Sequence, residues 1–194
     1  MRSISVGISG CGMALLLAGC AAQPLAEPPM GVATYHAAER ARVELSPASG
    51  SQVSGRLEVE RFGDGVRVTG AVRGLPGAGR YGIHVTSIGD CSAADAMSAG
   101  PVFNPHRTAH GEPAMGDHMA GDMANITADA GGIARIDQQL IGVTLGGGGY
   151  NDIANRAIVV RERAADYATQ PDGAAGARTA CGVISISVPP PAQD

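Results

Sequence analysis

The sequence predicts an all-β domain, an antiparallel sandwich or flattened barrel of roughly eight short strands. Two observations point there. Short runs alternate polar and apolar residues, the period-two signature of half-buried strands. Glycine is abundant, at 29 residues, and punctuates these runs, while aromatics make up 3% of the chain and tryptophan is absent.

The elements follow in order. Arg42-Val43-Glu44-Leu45 alternates, as does Arg56-Leu57-Glu58-Val59-Glu60. Gly63-Asp64-Gly65 predicts a hairpin turn into Val66-Arg67-Val68-Thr69. Gly74-Leu75-Pro76-Gly77 ends that strand, and Tyr81 to Thr86 is the next. The stretch from Ser87 to about Met123 lacks periodicity and is far longer than an ordinary connection, which marks it as functional. Ile126 to Ala128 and Ile133 to Leu140 predict a hairpin around Ala130-Gly131-Gly132. Gly146 to Gly149 predicts a flexible loop tip. Ala157 to Glu162 predicts a buried strand, Arg163 to Arg178 a second long loop, and Gly182 to Val188 the closing strand.

The ends of the chain predict processing and anchoring. Arg2 precedes the apolar, uncharged stretch Ile4 to Leu17, which is short for a membrane span and reads as a secretory signal. Leu17-Ala18-Gly19-Cys20 has the form of a bacterial lipobox, which would make Cys20 a lipidated mature N-terminus; the alternative is an ordinary signal peptide cut nearby. Residues 1–19 are thus expected to be a lipoprotein signal, 20–40 a lipidated N-terminus and flexible tether, 41–188 one domain, and 189–194 a disordered tail. An acyl chain would hold the domain at a membrane. The expected location is a periplasm-facing lipoprotein, with the outer membrane favoured because no acidic residue follows Cys20, or the cell surface.

All 14 basic residues are arginine, and the net charge of −4 argues against nucleic-acid binding. Of the four cysteines, Cys11 falls in the signal and Cys20 takes the lipid. Cys91 and Cys181 remain. In an oxidising compartment such an even pair predicts a disulfide, the alternative being two free buried thiols.

Five blocks together resemble the copper/zinc superoxide dismutase family. They are Gly63 to Pro76; Tyr81-Gly82-Ile83-His84-Val85-Thr86 continuing to Gly89-Asp90-Cys91; Ser98-Ala99-Gly100-Pro101-Val102-Phe103-Asn104-Pro105 ending at His110-Gly111; Gly121 to Asp129; and Gly173 to Ile184, which contains Gly176-Ala177-Arg178-Thr179-Ala180-Cys181-Gly182-Val183-Ile184. The resemblance implies a Greek-key β-barrel and a Cys91–Cys181 disulfide.

It also implies that most of the redox site has been replaced. The family's copper histidines fall on His84, Thr86, Val102 and Arg161, so three of the four imidazoles are gone. The family uses six histidines at its metals; this chain has five, of which His36 precedes the first strand. On the zinc side His110 and Asp122 match, Met119 holds a histidine position with His118 one residue early, and Ala165 replaces a metal-supporting aspartate. A rebuilt zinc site from His110, His118 and Asp122, with His106 or water fourth, has suitable donors. Zinc has no redox chemistry, and copper is not expected in the family geometry.

Two further features stand out. His106, His110, Met115, His118, Met119 and Met123 share one loop, a donor set that suits Cu(I), although buried methionines also fill core gaps. Arg178 matches the family's anion-guiding arginine, and Arg161 adds a second guanidinium able to hold a small anion. Arg161 is otherwise expected to pair with Asp166 or Asp90, or to reach solvent, and to replace the metal's charge in a collapsed site. The function expected is that of a superoxide dismutase-like envelope lipoprotein without dismutase activity, with a metal-, anion- or partner-binding role. The competing expectation is a redox protein or dismutase using a different copper site, built on His84 and the methionine/histidine loop.

Overall fold

The computed structural model describes residues 38–187. The expected secretory signal and lipidated Cys20, most of the expected tether and the expected C-terminal tail lie outside these residues.

Ten strands form one antiparallel sheet that curls into a nearly closed barrel. β1 (Arg40–Pro47), β2 (Ser54–Phe62) and β3 (Gly65–Arg73) pair in sequence order, with Gly63-Asp64 as the two-residue turn between β2 and β3. β4 is Gly79–Tyr81 and β5 Ile83–Thr86. β6 is Ile126–Ala128, β7 Ala134–Ile141 and β8 Ala157–Arg161; β9 (Arg178–Val183) and β10 (Ser185–Ile186) complete the set. The spatial order is β4-β6-β7-β3-β2-β1-β9-β8-β5, with β10 on β1. β3 is followed in space by β7 rather than β4, so the chain crosses the barrel end, as a Greek key requires.

Alternation explains the core. β1 buries Ala41, Val43 and Leu45 and exposes the residues between them. Leu57, Val59, Val66, Val68, Ile136 and Leu140 meet them inside. Burying each such side chain stabilises the fold by about 1.5–3 kcal/mol. The outward-facing residues form cross-strand ion pairs such as Arg42–Glu58 and Arg67–Asp137.

Three details differ from the sequence pattern. The expected strand at Tyr81 to Thr86 divides at Gly82. There the N–H donates to the Arg163 carbonyl and the carbonyl accepts from Arg161, so the chain leaves β6 and joins β8. The closing strand starts earlier, at Arg178, and breaks at Ile184, whose N–H donates to Arg156. The glycine tip is tied down, because the Asp152 carboxylate accepts from the N–H groups of Gly146, Gly148 and Ala154.

The two long connections are as expected, from β5 to β6 and from β8 to β9. The first holds only a short 3₁₀ turn, Met97–Ala99. It folds back along the open side of β5. Val85 N–H donates to Gly121 O, Phe103 N–H to Val85 O, and Gly121 N–H to Phe103 O. A Cβ at residue 121 would lie 2.3 Å from Val85 O, so only glycine allows this approach. The fold-back sets Asp122 opposite His84 and Val102 opposite Thr86. The expected disulfide joins Cys91 in this connection to Cys181 on β9.

Candidate functional site

His84 lies in β5, is wholly buried, and has no hydrogen-bond partner at either ring nitrogen. Burial first, then the nearby Arg161 and His110, pushes its pKa down to about 3, so the ring is neutral. The fold-back brings two more groups to it. Asp122 Oδ1 accepts from His110 Nδ1 at 2.7 Å, and Asp122 Oδ2 accepts from the N–H groups of Gly111 (3.0 Å) and Met119 (2.9 Å). The candidate ligand atoms of His84, His110 and Asp122 all lie within 4.8 Å of one another.

The second long connection fixes His110 from above. Gln170 Oε1 accepts from His110 N–H and its Nε2 donates to His110 O. The Tyr167 ring stacks on His110 at 6.0 Å. Asn125 brackets Ala165 by bonds to its N–H and carbonyl. Ala165 itself offers no side-chain acceptor, and the buried His110 Nε2 has no partner.

His118 and His106 stay away from this group. His118 Nδ1 donates to Met119 O, the ring of His106 meets Tyr150 edge-on, and both line a shallow surface recess. His84, rather than either of them, completes the set with His110 and Asp122. The methionines diverge as well. Met115 is exposed, Met123 belongs to the main core, and Met119 is buried beside a cavity.

That cavity is about 540 Å³ and is lined in part by Thr86, Val102, Met119, Val159, Arg161 and Arg178. Thr86 Oγ1 donates to Ala157 O, and Val102 is buried and apolar. Arg161 pairs with Asp172, a partner missed in the sequence, where Asp166 and Asp90 were the expected choices; Nη2 donates to Oδ2 at 2.5 Å. Asp172 sits in the aperiodic second connection, and only its position after Pro171 distinguishes it from Asp166. Arg178 donates to the carbonyls of Ala96 (2.7 Å) and Gly100 (2.6 Å), which props the rim of the cavity open. The expected collapse therefore does not occur, because both guanidiniums are held at the walls.

The model for the copper/zinc superoxide dismutase family matches residues 53–184, most of the barrel just described. The chain belongs to that family. Among copper/zinc superoxide dismutases, it is 34% identical to enzyme 1 of Debaryomyces hansenii over 145 residues, covering 71% of this chain and 92% of the yeast protein. It is 37% identical to enzyme A of Xenopus laevis over 146 residues, covering 72% and 93%. Similar solved structures include the clock protein EA4, with TM-score 0.69 and 36% identity over 78% of this chain and 96% of that one. A superoxide dismutase-like protein from Bacillus subtilis superposes with TM-score 0.67 and 31% identity, over 74% and 97%.

The superoxide dismutase family binds copper and zinc, and the donor set decides which of the two these residues fit. Of His84, Thr86, Val102 and Arg161, only His84 offers an imidazole; the others present a hydroxyl bonded to a carbonyl, an isopropyl group and a paired guanidinium. Those residues do not fit copper. His84, His110 and Asp122 offer the nitrogen and oxygen donors that zinc accepts, and their unpartnered buried ring nitrogens lack any other acceptor or donor.

Proposed function

We propose that this protein is a superoxide dismutase-like envelope lipoprotein that has lost copper-dependent dismutation and retains a zinc-binding role. The observation that carries the reading is the occupancy of the copper positions. Electron transfer to and from superoxide needs a metal that changes oxidation state, held by imidazoles. Thr86, Val102 and Arg161 supply none, and Arg161 places a fixed cation beside the remaining imidazole. His84, His110 and Asp122 would hold zinc as an ion of unchanging charge, with water completing the coordination. The copper-site alternative would need the methionines of the first connection to converge on His84, and Met115 and Met123 lie respectively in solvent and in the core.

Metal analysis and a superoxide-consumption assay on the full chain, purified from cells given both metals, test this. Zinc approaching one equivalent, negligible copper and a rate equal to buffer are expected. His84→Ala and His110→Ala should each lower zinc affinity at least tenfold. Copper-dependent superoxide consumption abolished by His84→Ala would overturn the reading.

The anchor rests on Leu17-Ala18-Gly19-Cys20. Cells fed radiolabelled palmitate are expected to label the wild-type protein and not Cys20→Ser. Equal labelling of the two would remove the lipoprotein assignment.

A further inference from the structure

Arg161 and Arg178 are cross-strand partners on β8 and β9, at a register irregularity between Val160 and Arg161. Like charges facing each other across a ladder destabilise it. Here both are also buried, at 6% and 7% exposure. Burial, with Arg161 next in order, lowers the pKa of Arg178. One carboxylate, Asp172, sits between the cavity and an adjoining outer recess that the two arginines also line. Asp95 lies only on the outer recess and is exposed to solvent. Arg161 Nε and Arg178 Nε are buried N–H donors without acceptors, which is unfavourable for each. The inner cavity therefore carries two guanidiniums against one carboxylate, an excess of one positive charge.

Most of the rest of its wall is apolar, from Met97, Pro101, Val102, Met119, Val159 and Pro171, with Thr86 and Asn104 as the uncharged polar residues. The volume of about 540 Å³ is that of a small-molecule site. We propose that this cavity binds a small organic monocarboxylate, with its carboxylate between Arg161 and Arg178 and a short apolar body against Val102 and Val159. A planar carboxylate matches guanidinium donors, and the single negative charge balances the excess. Inorganic phosphate or sulfate would leave the apolar wall uncovered and overcompensate the charge. Asp172 competes with the ligand for Arg161. The site goes beyond the zinc reading and does not depend on it.

Calorimetric titration of the full chain with straight-chain monocarboxylates from acetate to octanoate tests the proposal. EDTA is present throughout, so that a metal at the imidazoles contributes nothing. Saturable one-to-one binding is expected, tightening roughly threefold to fourfold per methylene until the cavity is filled. Arg161→Gln should weaken binding at least tenfold. Asp172→Asn should tighten it several-fold by releasing Arg161, a gain that a damaged fold would not give. No binding, unchanged affinity in a folded Arg161→Gln, weaker binding in Asp172→Asn, or phosphate binding as tight as octanoate would each overturn the proposal.

Discussion

Replacing both Cys91 and Cys181 by Ser is expected to lower stability by about 4–5 kcal/mol and the thermal midpoint by about 10–20 °C. The bridge spans a sequence separation of 90 residues, so cutting it releases a long closed loop in the unfolded chain. Its native role adds to this. Cys181 lies on β9 three residues beyond Arg178, and the bridge and the two Arg178 hydrogen bonds hold the same stretch, 91–100, against the barrel. Ala48, Ala96, Ala99, Ala157 and Val159 pack around the bridge as a small core separate from the main one. Side chains this small bury little area, so the covalent link supplies most of the local cohesion. Thermal melts with and without reductant check this directly. A midpoint change below about 3 °C would show that the loop is held without it.

Asp122→Ala is expected to destabilise the domain by about 3–5 kcal/mol and to remove metal affinity with it. The carboxylate accepts three hydrogen bonds in a buried position, from His110 Nδ1, Gly111 N–H and Met119 N–H. Alanine leaves all three donors without a partner, each at about 1–3 kcal/mol, with some recovery through local opening to water. Asp122→Asn retains one acceptor oxygen and should fall between alanine and the wild type. Urea unfolding followed by circular dichroism measures both. A loss under about 1 kcal/mol for Asp122→Ala would mean that the fold-back over β5 stands without its carboxylate.

The strands were legible where one face is wet. β1, β2, β3 and β7 alternate because polar residues such as Arg42, Glu58 and Asp137 face solvent between buried aliphatics. β8 was legible as a buried run, all five residues being covered. The break at Gly82 was not, because it depends on backbone partners in β8 and at Arg163 rather than on any side-chain pattern. The Gly146 to Gly149 tip looked free because nothing local announces that Asp152 will accept its N–H groups.

The site divides in the same way. That Thr86, Val102 and Arg161 would surround His84 was expected from the resemblance, Thr86 and Val102 lying inside the motif blocks and Arg161 at the end of the apolar run 157–160. His110 and Asp122 were expected together, but that His84 joins them could not be read, because the set is assembled by a loop that has no periodicity and closes on β5 through the backbone of Gly121 and Phe103. Spacing alone put His118 and His106 beside His110; the structure turns both toward Met119 and Tyr150 instead. The partner of Arg161 was likewise hidden among the carboxylates of an aperiodic segment.

The wrapping of residues 101–103 and 121–122 along β5 has a second consequence. β5 and β4 terminate the sheet order, and such outermost strands are where one molecule recruits another by adding its own strand. Here the outward amide of Val85 and its carbonyl are already spoken for, and β4 is only three residues long. β5 therefore offers no free template there for strand addition, so the segment that shelters two imidazoles also covers this edge of the sheet.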